Sequence, residues 1–139
     1  MNRKFKVENS GSSVADICFM RLSELYLILA IAKAHLNETD AADTLYTLVH
    51  SRNPQYLRPV SGGEDLLSEI LLQRRIELWG EGFRFLDLKR LGQPLDRRYS
   101  NHKENLCKTL SVSPGDKSWQ FLIPKKELTA NDKVEQNPL

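Results

Sequence analysis

The sequence has little with which to bind a metal or cross-link itself. Cys18 and Cys107 are its only cysteines, too few for a disulfide framework or a cysteine-rich zinc site. One bridge, or two free buried thiols, both remain open. His35, His50 and His102 fit no metal spacing such as a helical HExxH, and no cysteine or carboxylate cluster accompanies them; they read as surface or interhelical histidines, and no metal is expected. No GxGxxG, Walker or GxSxG sequence occurs. Gly62-Gly63 has neither a preceding strand nor a phosphate-directed lysine, so no nucleotide cofactor is expected. No apolar run approaches a membrane span, and no basic-then-apolar leader opens the chain. Neither sign of charge dominates: 20 Lys and Arg stand against 18 Asp and Glu, which gives no concentrated basic surface for a nucleic acid.

What is present is helical periodicity. Residues 1–15 read as an amino-terminal tail, and 16–139 as one helical domain. Arg21 to Asn37 places Leu22, Leu25, Tyr26, Leu29, Ala32 and Leu36 at three- and four-residue intervals, the stripe expected to face the core. Thr39 or Asp40 caps a second helix, about Ala41 to His50, with Ala42, Leu45, Tyr46 and Val49 on one side. The two form an antiparallel hairpin. Asn53-Pro54 ends it, and Val60 to Gly63 turns into a third helix starting near Glu64 or Asp65. There Leu67, Ile70, Leu71 and Leu78 share one arc, while Leu72, Ile76 and Trp79 share another, so both sides of the helix, Trp79 included, are expected to be packed. Gly80 and Gly82 weaken it; Phe83 to Leu91 makes a further helical segment closed by Gly92 and Pro94. A long polar loop, Gln93 to Lys117, follows. Ser118 to Ile123 alternates and lies extended until Pro124, and Lys125 to Ala130 makes a turn of helix. The fold class expected is all-α: antiparallel, tetratricopeptide-like helical hairpins with a long loop and an extended carboxy-terminal segment.

The charged residues of "RRIELWGEGFRFLDLKR" (Arg74 to Arg90) pose a choice between chemistry and structure. On the helical wheel Arg74, Glu77 and Glu81 fall inside the first apolar arc, and Arg84 and Asp87 extend the group. Buried charge is costly unless paired, so these five residues are expected to form an internal ion network. A catalytic Glu77/Glu81 pair, as a glycoside hydrolase needs, is disfavoured, because both lie on one helix face with arginines close in sequence. No catalytic residue is assigned. Lys89, Arg90, Arg97, Arg98, His102 and Lys103, with Tyr99 for stacking, read as a solvated loop rather than a single-strand binding patch.

Four segments together resemble the SusD/RagB family of nutrient-binding proteins, specifically its carboxy-terminal domain. They are "DICFMRLSELYLILAIAKAHL" (Asp16 to Leu36), "SRNP" (Ser51 to Pro54), "RRIELWGEGFRFLDLKRLG" (Arg74 to Gly92) and "IPKKELTANDKVEQNPL" (Ile123 to Leu139). The resemblance implies a helical, non-enzymatic lipoprotein at the outer face of the outer membrane in Bacteroidetes-type bacteria. It would bind oligosaccharide and sit as a lid on a SusC-like TonB-dependent transporter. Family members are several times longer on the amino-terminal side, so the chain reads as a fragment or a truncated paralogue, without leader or lipid anchor; Cys18 is not taken as a lipidated residue. Ile31 stands where the family pattern commonly has Glu. For a residual sugar platform the aromatic candidates are Trp119, Tyr99 and Tyr56, with Trp119 expected to pack. A tetratricopeptide-like scaffold that binds protein and no sugar is the alternative.

Overall fold

The computed structural model describes residues 20–103, 105–107 and 109–137. The tail expected at 1–15 and Cys18 lie outside the described residues; Cys107 is a half-buried free thiol. The chain is mostly helical and divides into two compact units, one up to Leu78 and one from Trp79.

The first unit holds α1 (Leu22–His35), α2 (Ala41–Arg52) and α3 (Gly63–Glu77), and α1 packs on both of the others. Asn37, at φ 57°, closes α1 in the left-handed conformation that asparagine tolerates. The Glu38 amide donates to the Lys33 carbonyl and the Asn37 amide to that of Ala34, so the chain reverses within a few residues into α2. Asp40 occupies the N-cap position of α2 but makes no side-chain cap; its carboxylate accepts from Lys33 Nζ instead. The core is built from Leu27, Ala30, Ala41, Leu45, Leu66, Ile70 and Leu78.

The face of α1 that packs differs from the expected stripe. Ser23, Glu24, Leu27 and Ala30 are buried, whereas Leu22, Leu25, Leu29 and Leu36 are exposed. Apolar residues surround most of this helix, so spacing alone cannot choose a side. The side that packs carries the small residues Ser23 and Ala30, which let neighbouring backbones approach. The second arc of α3 departs likewise: Leu72, Ile76 and, beyond the helix end, Trp79 are exposed. Helical φ/ψ ends at Glu77, and Leu78 is already the C-cap, so the wheel position given to Trp79 does not apply.

In the second unit α4 (Phe83–Arg90) follows Gly82, whose φ of 85° is a conformation that only glycine adopts without strain. The long polar loop is not wholly irregular. Strands β1 (Leu95–Asp96) and β2 (Ser111–Val112) pair antiparallel with Leu95 opposite Val112, and the Arg97 amide donates to the Leu110 carbonyl at 2.7 Å. Two-residue strands are too short to show a period. A 3₁₀ turn at Lys117–Trp119 leads into the extended segment, and α5 (Lys125–Ala130) follows Pro124. The last described residues clamp that segment. Gln136 accepts the Ile123 N–H at Oε1, 2.9 Å, and donates to the Ile123 carbonyl from Nε2, 3.1 Å, doing with one amide side chain what a neighbouring strand would do with a backbone. Asn137 Nδ2 donates to the Phe121 carbonyl at 2.8 Å.

Candidate functional site

Two groupings of side chains are candidates, one in each unit. In the first unit Glu77, the last residue of α3, receives two arginines from distant parts of the sequence. Arg21 Nη1 donates to Glu77 Oε1 at 2.9 Å and Arg21 Nη2 to the Glu77 carbonyl at 2.8 Å. Arg52 Nη2 reaches the same Oε1 at 3.4 Å. Burial pushes the Glu77 carboxyl up, but hydrogen bonds from Arg21, Ser23 and Arg52 outweigh it and hold the group below its ordinary value. A carboxylate so held is ionised at neutral pH and is a poor proton donor.

Of the five charged motif residues, Arg74 and Glu77 belong to this unit, Arg74 buried on the same stripe as Leu66 and Ile70. Glu81, Arg84 and Asp87 belong to the other. There Asp87 is buried and accepts from Arg90 Nη2 at 3.4 Å. Glu81 is half-buried, and Arg84, expected to extend the internal group, is exposed. Arg21 and Arg52 were not in the expected group; no helical spacing links them to Glu77, and only the folded chain brings them there.

Tyr56 is half-buried beside Tyr46, with ring centroids 6.4 Å apart, and its hydroxyl donates to Glu69 Oε1 at 2.9 Å. Burial and that bond push the phenol up. Tyr99 stands almost wholly in solvent, with the Arg98 guanidinium 6.0 Å from its ring centroid. Beside it Arg98 grips Asp96, holding its carboxyl down at about 2. Of the three aromatic candidates, Trp119 borders a cleft.

That cleft, about 510 Å³, lies wholly in the second unit, between the end of α4, the turn at Pro114–Asp116 and the extended segment. Trp119 is its buried floor. The indole N–H donates to the Ser113 carbonyl at 2.8 Å, and the ring packs on Phe85 with centroids 5.4 Å apart. Phe121 also touches Phe85, at 5.0 Å, yet is 74% exposed. Lys89, Gln93, Gln120 and Asn137 supply polar lining. Asp116 accepts from the Ser118 N–H and hydroxyl, both at Oδ1, which holds its carboxyl below the ordinary value and leaves Oδ2 without a partner among the described residues. Phe121 and Asn137 are missed when the Ser118–Ile123 run is read only as packing. The signal available was the pair of aromatics in the Ser118–Ile123 run, together with the Gln-Asn-Pro ending.

Among the described residues no group of three or more His, Cys, Asp or Glu is placed to hold a metal ion, and no helix is long and apolar enough to cross a membrane.

No curated protein matches the sequence. Among solved structures it is similar to a SusD-like carbohydrate-binding protein from Bacteroides vulgatus, at 32% identity and a TM-score of 0.78. The alignment covers 96% of this chain and 33% of that one, so the chain spans about a third of that protein's length. The SusD family profile matches residues 1–139. With the helical architecture and the Arg74–Gly92 and Ile123–Leu139 segments already described, the chain belongs to the SusD family.

Proposed function

We propose that the chain is the carboxy-terminal part of a non-catalytic glycan-binding protein in an outer-membrane nutrient-uptake complex. The whole protein captures oligosaccharide at the cell surface and passes it to a SusC-like TonB-dependent transporter. The observation that carries this reading is membership of the SusD family over the full chain, joined to 32% identity with a protein named for carbohydrate binding. Binding without bond cleavage is supported by Glu77, whose carboxylate lies between two guanidinium groups and is held ionised. On this reading the motif residues Arg74, Glu77, Glu81, Arg84 and Asp87 hold structure and do no chemistry.

Isothermal titration with a panel of oligosaccharides, with reducing-sugar release followed in parallel, tests it. Heat of binding without release of reducing ends is the expected outcome. Release that disappears in Glu77→Gln or Glu81→Gln would reverse the non-catalytic assignment. A second reading, a protein-interaction scaffold, is favoured by one observation, the exposed apolar face of α1. It prevails if no glycan binds while a pull-down recovers a transporter-like partner.

A further inference from the structure

The cleft of the second unit has a composition that selects among ligands. Its charges balance, with Lys89 against Asp116, so it has no cation cluster with which to hold a phosphate or sulfate. It is open and half polar, which suits no acyl chain. Its polar groups mix donors and acceptors: the Lys89 ammonium, the amides of Gln93 and Gln120, the Asn137 Oδ1 and the Asp116 Oδ2. The side chains of Lys89, Gln93 and Gln120 have no hydrogen-bond partner among the described residues, and Asn137 spends only its Nδ2, on the Phe121 carbonyl. Such a set fits hydroxyl groups, each of which both donates and accepts. Beside it stands one flat apolar face, Phe121, braced from behind by Phe85 and fixed through its backbone by Asn137. Trp119 cannot take that part, because its ring is buried and its N–H is already spent. A volume of about 510 Å³ lies within the usual range for small-ligand pockets.

We infer that this cleft is a binding subsite for a neutral sugar ring, stacked by its C–H face on Phe121, with its hydroxyls taken by Gln93, Gln120, Asn137 and Asp116. The inference rests on the glycan-binding reading above and adds a location and a ligand class to it. The stacking ring contributes through the apolar area it takes out of water against the sugar face. Removing the ring therefore weakens binding severalfold to tenfold, while a different aromatic at that position restores it.

The test titrates maltohexaose, cellohexaose and xylohexaose, with hexagalacturonate as the acidic counterpart, into the 139-residue chain, and follows the backbone amides of residues 113–121 and the Trp119 indole signal by NMR. Phe121→Ala is compared with Phe121→Trp, and circular dichroism checks the fold of each. The expected result is that one or more neutral hexamers shift the Trp119 indole and the Gln120 and Phe121 amides. Phe121→Ala should then raise Kd five- to tenfold and Phe121→Trp should not. A neutral hexamer that binds with equal affinity to Phe121→Ala, or shifts signals elsewhere, overturns the subsite and leaves the glycan-binding reading standing. Binding of hexagalacturonate alone overturns the ligand class. Silence of the folded chain toward every hexamer overturns the subsite and leaves the reading of the whole protein to its own titration.

Discussion

Glu77 shows how much one side chain can join. Its carboxylate meets a residue from before α1 and another from the end of α2, and its own helix supplies neither. Because its folded pKa is depressed, the stability it contributes is fully present above the ordinary value of 4.5 and is lost as pH falls through the lower folded value. Glu77→Gln is expected to lower unfolding free energy at pH 7 by about 1–3 kcal/mol, the cost of leaving partly buried donors unpaired. It should also flatten the stability loss between pH 4.5 and lower pH relative to wild type. Urea melts at pH 7, 5 and 3.5 check both; equal slopes for the two proteins would mean that the arginines find other acceptors. Arg84 differs from Glu77 in its exposure. Since its side chain is exposed, Arg84→Ala is expected to cost no more than about 1 kcal/mol, and a thermal melt reads the difference.

At the level of elements, helix positions followed from punctuation and spacing. Gly92 and Pro94, Asn53-Pro54 and Pro124 bracket α4, α2 and α5 nearly where the structure ends or begins them. The side a helix presents was less legible. In α1 the contest between Leu27 and Leu29 for the core was settled by neighbours far away in sequence, which no local period encodes. Leu27→Ala is expected to cost about 2–5 kcal/mol and Leu29→Ala under about 1 kcal/mol, a contrast that chemical denaturation measures; the reverse order would restore the stripe read from spacing. The same limit hid the Gln136 clamp. A glutamine in a polar ending carries no periodic signal, yet it satisfies both backbone groups of Ile123. Gln136→Ala is expected to remove about 1 kcal/mol from the local stability of this segment and to speed hydrogen exchange at the Ile123 amide about fivefold, with amides of α2 as the unaffected reference.

For the whole molecule, family and fold class were readable from four segments, while the ligand subsite was not. The subsite depends on which aromatic is left uncovered, and that is a property of packing: Trp119 ends a 3₁₀ turn and is buried, while Phe121, two residues on in the extended segment, stands open. The chain also carries more exposed aliphatic surface than its core requires. Leu22, Leu25, Ile28, Leu29, Leu36, Leu72 and Ile76 all stand open in the first unit, and a face of this kind binds apolar probes. The 139-residue chain is expected to enhance the fluorescence of an anilinonaphthalene dye while its near-ultraviolet circular dichroism stays native. Leu25→Gln with Leu29→Gln should reduce the enhancement by about half with little change in the thermal midpoint. Undiminished dye binding would locate the uncovered surface elsewhere.

Arg21 closes the exposed carbonyl at the end of α3, fifty-six positions later in the sequence. That bond, added to the arginines of the helix's own last turn, forms only once the chain between them has folded back and α1 has docked. Docking of α1 and closure of this carbonyl are therefore a single event. Assembly of this unit is thereby tied to a pairing of high sequence separation, whose loop-closure entropy is spent before the bond is gained.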